Sequence, residues 1–207
     1  MKNITRNKTV LLCVFIFFIA GCATWTKVGG PYLDNSAMYS TELPWGWMKY
    51  KGKDLVITRD GVFLEDITIK RKNINKKLDH TKKKFVKGML PEEISEIEID
   101  DVMVNPDVYN FELTENIPVI ISGQNGFRLT YSFCNKEGLK YKCIRYGFGY
   151  GDWIYGLLYT ACSTHYFDKN LKDFNNVIKS FKFIPAVDKK SSIPPPAEAK
   201  PKEIRKK

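Results

Sequence analysis

Apolar residues alternate with polar ones over residues 62–70, and a short β-branched run, Leu55-Val56-Ile57-Thr58, precedes them across Arg59-Asp60-Gly61. The pattern predicts a β-hairpin, because Asp-Gly supplies the positive φ of a tight turn. The alternation places Phe63, Ile67 and Ile69 on its inner face. The period then lengthens. Ile74, Leu78, Thr81, Phe85 and Met89 recur at steps of four and three, the stripe of an amphipathic helix. Pro91 before Glu92-Glu93 marks a second, short helix, with proline where its missing N–H is harmless and carboxylates at the positive dipole end.

Strand signals dominate from residue 111 onward. Residues 111–115, 119–122, 127–134, 140–148 and 153–162 are rich in aromatic and β-branched types, with turn residues at Gly123-Gln124-Asn125-Gly126, at Gly138 and from Gly149 to Asp152. Five such runs predict an antiparallel meander. Asp168 is the expected N-cap of a closing helix with Leu171, Phe174, Val177 and Ile178 on one face, before Ser180-Phe181-Lys182-Phe183. The fold class expected is α+β: an antiparallel β-sheet flanked by helices.

The N-terminal pattern is of another kind. Lys2, Arg6 and Lys8 precede an apolar run over 10–22, and that run of thirteen residues falls short of the roughly 20 needed to span hydrocarbon as a helix. It ends in Ile19-Ala20-Gly21-Cys22, which resembles the bacterial lipobox. The resemblance implies a signal peptide over 1–21, cleavage before Cys22, and a diacylglycerol on its thiol with acylation of the new amino group. The partner implied is the membrane, reached through the lipid on Cys22, and the location is the cell membrane. Ala23, where aspartate would resemble an inner-membrane retention signal, favours the outer membrane facing the periplasm in a Gram-negative source.

Gly29-Gly30-Pro31 and Pro44 make residues 22–44 a tether, leaving 45–184 as one domain large enough for its own core. The Pro- and Lys-rich tail 185–207 is expected to be disordered. Of the formal charge of +10, the signal supplies three and the tail four net, so the body keeps only about three. That excludes the electrostatic footprint of a nucleic-acid binder. Within the body a basic stretch from Lys70 to Lys87 precedes an acidic one from Glu92 to Asp101. They read as two solvated faces, the basic one able to meet anionic headgroups or an acidic partner.

A two-residue loop at Gly138-Leu139 would face Phe133 with Ile144, Tyr131 with Tyr146 and Leu129 with Phe148. It would also set Cys134 opposite Cys143, about 4.5 Å apart and within bridging range. A Cys134–Cys143 disulfide, two free thiols and a Cys143–Cys162 bridge all remain open, with Cys162 otherwise a buried or reactive thiol.

Catalytic and metal signals are weak. Cys162-Ser163-Thr164-His165 sets nucleophile types beside a histidine, yet strand neighbours two apart project in parallel and cannot form a nucleophile–base pair. His80 and His165 are the only histidines, and Cys-x-x-Cys is absent, so neither a metal nor a cofactor is expected and the chain reads as no enzyme. Gly147-Phe148-Gly149-Tyr150-Gly151 lies between strands without a following helix, so it is an aromatic turn and not a phosphate loop.

The order hairpin, helix, meander, helix, with the ending Tyr166-Phe167 to Phe174 to Val177-Ile178-Lys179-Ser180-Phe181, resembles the Mog1/PsbP-like superfamily. The resemblance implies an α/β/α sandwich around an antiparallel sheet, in a family with no shared catalytic motif and several exported or lipid-anchored members. The function expected is a non-enzymatic binding or assembly module of the cell envelope with a protein partner. Trp45, Trp47, Tyr150 and Trp153 would form its contact surface. The alternative is a small-ligand carrier or hydrolase, which a cavity with convergent polar groups would support.

Overall fold

The computed structural model describes residues 24–184. The signal segment 1–21, Cys22 and the tail 185–207 lie outside the described residues. A nine-stranded antiparallel sheet runs β1 (Trp25–Asp34), β2 (Tyr39–Tyr50), β3 (Leu55–Thr58), β4 (Glu65–Asn73), β8 (Trp153–Cys162), β7 (Lys140–Tyr150), β6 (Gln124–Cys134), β5 (Tyr109–Ile121), and a short β9 (Lys182–Phe183) adds to β2. Two helices complete it among the described residues, α1 (Pro91–Met103) and α2 (Tyr166–Ser180). The architecture is a mostly antiparallel sheet with one helix per face, richer in sheet than a layered α/β/α sandwich.

Strand alternation divides the core in two. On β8, Tyr155, Leu157, Tyr159 and Ala161 face α2, whereas Ile154 and Leu158 face α1; on β7, Phe148 joins the first set and Cys143 the second. The helix stripe Phe167, Asn170, Phe174 and Val177 buries α2 against its face. Three bonds fasten it there: Trp47 Nε1–H to Asp173 (2.9 Å), the Thr41 hydroxyl to the Val177 carbonyl (2.9 Å), and the Tyr159 hydroxyl to the Phe167 carbonyl (2.9 Å). Phe148 stacks on Tyr155 at 4.9 Å, and Phe183 of β9 meets both rings edge-on.

Several sequence expectations are corrected. The supposed tether is largely sheet, because β1 begins at Trp25 and Tyr39, Thr41 and Leu43 are buried at period two. Its apparent breakers lie at an irregularity: the register shifts between Val28 and Gly30, and Gly30 and Gly46 take φ of 84° and 83°. An edge-strand bulge tolerates glycine and proline that a central strand would not.

No helix forms over 74–89. Leu78 and Phe85 are nonetheless buried and Ile74 and Met89 pack beside them, so the apolar spacing is right about burial and wrong about backbone. Asn73 caps a local turn to Asn75, and Asp101 accepts the N–H groups of His80 and Thr81, each competing with helical bonds.

The Asp-Gly hairpin is also looser than expected. Residues 59–64 form the connection, β4 starts at Glu65, and Phe63 is 81% exposed instead of inward. Buried Glu65 organises the loop, its Oε1 accepting the N–H groups of Arg59 (2.8 Å) and Asp60 (2.6 Å). The two runs at 111–122 merge into the single edge strand β5, with Pro118 tolerated there, and α2 starts at Tyr166 so that Asp168 lies in its first turn, not at its cap.

The β6–β7 register removes the Cys134–Cys143 bridge. Asn135 accepts the Gly138 N–H (2.9 Å), and its own N–H reaches Leu139 (3.0 Å), so the loop is wider than two residues. Cys134 then pairs with Lys140 and Cys143 with Tyr131, three positions away along the ladder. That offset is roughly 10 Å, beyond disulfide reach. Cys134, Cys143 and Cys162 are free thiols.

A charged cleft between helix α1 and the sheet as candidate site

Helix α1 carries its own contradiction. Ile94 and Ile97 turn inward at helical spacing, but so does Glu98, which is buried. Opposite it, Arg145 occupies the α1-facing side of β7, in line with Tyr141 and Cys143. The two meet at 2.6 Å between Nη2 and Oε2, with side chains only 11% and 8% exposed. Burial strengthens such an attraction but also removes hydration from both ions.

Gly156 makes room for the guanidinium, since a Cβ there would stand 3.2 Å from Nη2. Arg145 Nε is buried and has no hydrogen-bond partner. Around the pair opens a cleft of about 190 Å³, bordered by Lys70 and Lys72 of β4, by Asp79 and His80 of the 74–90 loop, and by Asp101 of α1. Lys72 is held by Asp79 at 3.2 Å, and Asp101 is occupied by loop N–H groups. Lys70 has no ion pair among the described residues. The recess thus presents the Lys70 ammonium beside the Arg145 guanidinium, donors that suit a small carboxylate or other compact anion.

The thiol and the phenol on this face of the sheet are held in their protonated forms. Burial pushes the Cys143 thiol up to about 12, against hydrogen bonds that favour the thiolate, so it stays protonated and a poor nucleophile. Burial likewise raises Tyr131 well above the ordinary phenol range. The Cys162 thiol donates to the Phe63 carbonyl at 3.4 Å, and no hydrogen bond joins Cys162 or Ser163 to His165 among the described residues. His165 stands before α2 at φ 73° with its ring against Tyr166. Among the described residues, no group of three or more His, Cys, Asp or Glu side chains could hold a metal ion.

The anticipated aromatic surface is not assembled. Trp45 is 78% exposed, with its ring over Gly29 and Gly30. Trp47 is wholly buried, Tyr150 packs on Phe183, and Trp153 lies under the Arg71 guanidinium at 4.0 Å. The basic and acidic stretches, segregated in sequence, touch at one ion pair, Lys83 with Asp100 at 3.0 Å, while Lys87 meets Asp152 of the β7–β8 turn at 3.0 Å. Arg145 and Glu98 escaped sequence reading because nothing marks a charged residue as inward until the register is known. Glu98 between Ile97 and Ile99 was the available signal.

No protein-family model matches the chain, and no curated protein matches it by sequence. Solved structures match in fold. CyanoP, the cyanobacterial PsbP of Synechocystis sp. PCC 6803, aligns with a TM-score of 0.52 and 17% identity over 79% of this chain and 95% of its own. A point mutant of the protein Mog1 aligns with a TM-score of 0.50 and 10% identity over 77% of this chain and 97% of its own. The likeness is one of fold: a Mog1/PsbP-like arrangement of a mostly antiparallel sheet with two helices.

Proposed function

We propose that this chain is an envelope lipoprotein, anchored by acyl chains on Cys22 and delivered to the outer membrane in a Gram-negative source, whose domain is a non-enzymatic binding or assembly module. Two helices on opposite faces of the sheet support reading it as a reduced α/β/α sandwich. The observation that carries the binding reading is a pair of exposed rings on fixed backbone. Trp45 is seated over Gly29 and Gly30, and Phe63 has its carbonyl held by the Tyr141 hydroxyl at 2.9 Å. Large exposed aromatics on a held backbone are what a protein partner grips.

Extraction of the native protein in mild detergent, with crosslinking and mass spectrometry of co-purifying chains and of the N-terminal peptide, tests this. A stoichiometric partner lost on Trp45→Ala or Phe63→Ala supports the module, and a solitary protein counts against it. The cleft around Arg145 favours a second reading, a carrier of small anions. It expects a carboxylate to co-purify and to be lost on Glu98→Leu/Arg145→Met, which removes the guanidinium without leaving Glu98 unpaired.

A further inference from the structure

The first strand begins very close to the proposed anchor. Thr24 already belongs to the ordered backbone, its carbonyl accepting the Lys51 N–H at 2.8 Å, so only Ala23 separates Cys22 from it. Three residues of chain reach at most about 11 Å from Cys22 to Trp25. The headgroup zone of one leaflet is itself roughly 5–8 Å deep. A lipid on Cys22 therefore brings the start of β1 to the membrane surface.

The side chains at that pole suit the place. Trp25 pairs with Tyr50 across β1 and β2, ring centroids 5.2 Å apart, and Tyr50 is 41% exposed. Lys27, Lys51 and Lys53 are exposed beside them, none ion-paired among the described residues, and Asp54 is the one carboxylate close to them in sequence. Tryptophan and tyrosine settle at headgroup level, and lysines are drawn to anionic lipid. The 74–90 loop also carries exposed lysines, but Lys83 and Lys87 meet carboxylates there, and the loop lies far along the chain from Cys22.

We infer that the Trp25–Tyr50 end of the β1–β2 hairpin, with Lys27, Lys51 and Lys53, is a membrane-docking surface that rests on anionic headgroups and fixes the orientation of the domain. The inference rests on acylation of Cys22. The full chain, purified in its native form, is reconstituted into vesicles of phosphatidylcholine with or without phosphatidylglycerol, carrying brominated acyl chains that quench tryptophan at close range. The expected result is stronger quenching with phosphatidylglycerol, abolished by Trp25→Phe and unaltered by Trp45→Phe. In Lys51→Glu/Lys53→Glu the quenching falls about twofold, to the level on phosphatidylcholine alone. An acylated protein quenched equally in both vesicles, or insensitive to Trp25→Phe, overturns the docking surface and leaves the anchor standing. An N-terminal peptide without acyl mass on Cys22 overturns the anchor and this inference with it.

Discussion

The two faces of the sheet solve the same problem with different materials. The α2 face holds twice as many buried apolar residues as the α1 face, eighteen against nine, and centres on stacked rings. The α1 face is covered by a helix with Glu98 on its buried stripe and by an irregular loop, and it encloses an ion pair beside a cleft. Apolar burial is additive and tolerant of geometry, so the first face can stabilise the fold by area alone. Buried charge demands exact partners and gives little net stability. A face built that way owes its stability to the apolar residues around the pair more than to the pair itself.

Removing one partner of the ion pair is the sharpest way to break the comparison. Arg145→Ala leaves Glu98 buried and uncompensated, and should cost about 3–5 kcal/mol. That equals the loss expected from Phe174→Ala at the centre of the other face, about 3–5 kcal/mol. The faces separate in the second step. Glu98→Leu/Arg145→Met should recover most of the loss, since it replaces both charges by apolar bulk, whereas no second substitution repairs Phe174→Ala so simply. Urea midpoints of the three variants decide it. A double variant as unstable as Arg145→Ala would show that the pair is not the coupled unit described.

Legibility in the sequence divides along the same line. The strands at 127–134, 140–148 and 153–162 and the closing helix obey a single period over many residues, and all coincide within a few residues with β6, β7, β8 and α2. The stripe Ile74, Leu78, Phe85 and Met89 finds its core but not its backbone, because Asn73 and Asp101 offer N–H groups a local alternative to the helix. Strands β1 and β2 are hidden by glycine and proline that an edge bulge accommodates. The Arg145–Glu98 pair is non-local, and the error that hides the cleft is the one that suggests the disulfide: a loop taken as two residues long shifts every partner on β7.

A second, smaller effect should also single out the α1 face. Asp66 alternates with Glu65 and Ile67 on β4 and so points away from α2. Burial pushes its carboxyl up to about 6, against the lowering effect of the Thr68 hydroxyl at 2.8 Å. The folded state therefore binds this proton more tightly than the unfolded chain, whose aspartate titrates near 3.8. The protonated carboxyl's stabilisation is complete below about pH 4 and is lost as pH rises through about 6. At pH 7 the ionised group costs on the order of 1–2 kcal/mol, discounted for partial exposure. Asp66→Asn should be the more stable protein at pH 7, with the gap closing towards pH 4. A gap that does not change between those two pH values would contradict the buried-carboxyl account.

The smallest effect belongs to a place on neither face. A Cβ added at Gly29 would stand 2.3 Å from the Trp45 ring, a distance no real contact tolerates. Such crowding in a core costs about 1–3 kcal/mol. Here Trp45 is 78% exposed and can swing outward, so Gly29→Ala should lower stability by no more than about 1 kcal/mol, the cost of an altered rotamer. The displaced ring should lose the backbone beneath it, shift its emission to longer wavelength and weaken capture of the partner proposed above. Fluorescence and a urea melt of the same variant separate the two consequences. A large loss of stability would make the Trp45 ring part of what holds the β1–β2 hairpin together. A small loss with a shifted spectrum places stability in the two faces and leaves this ring for binding.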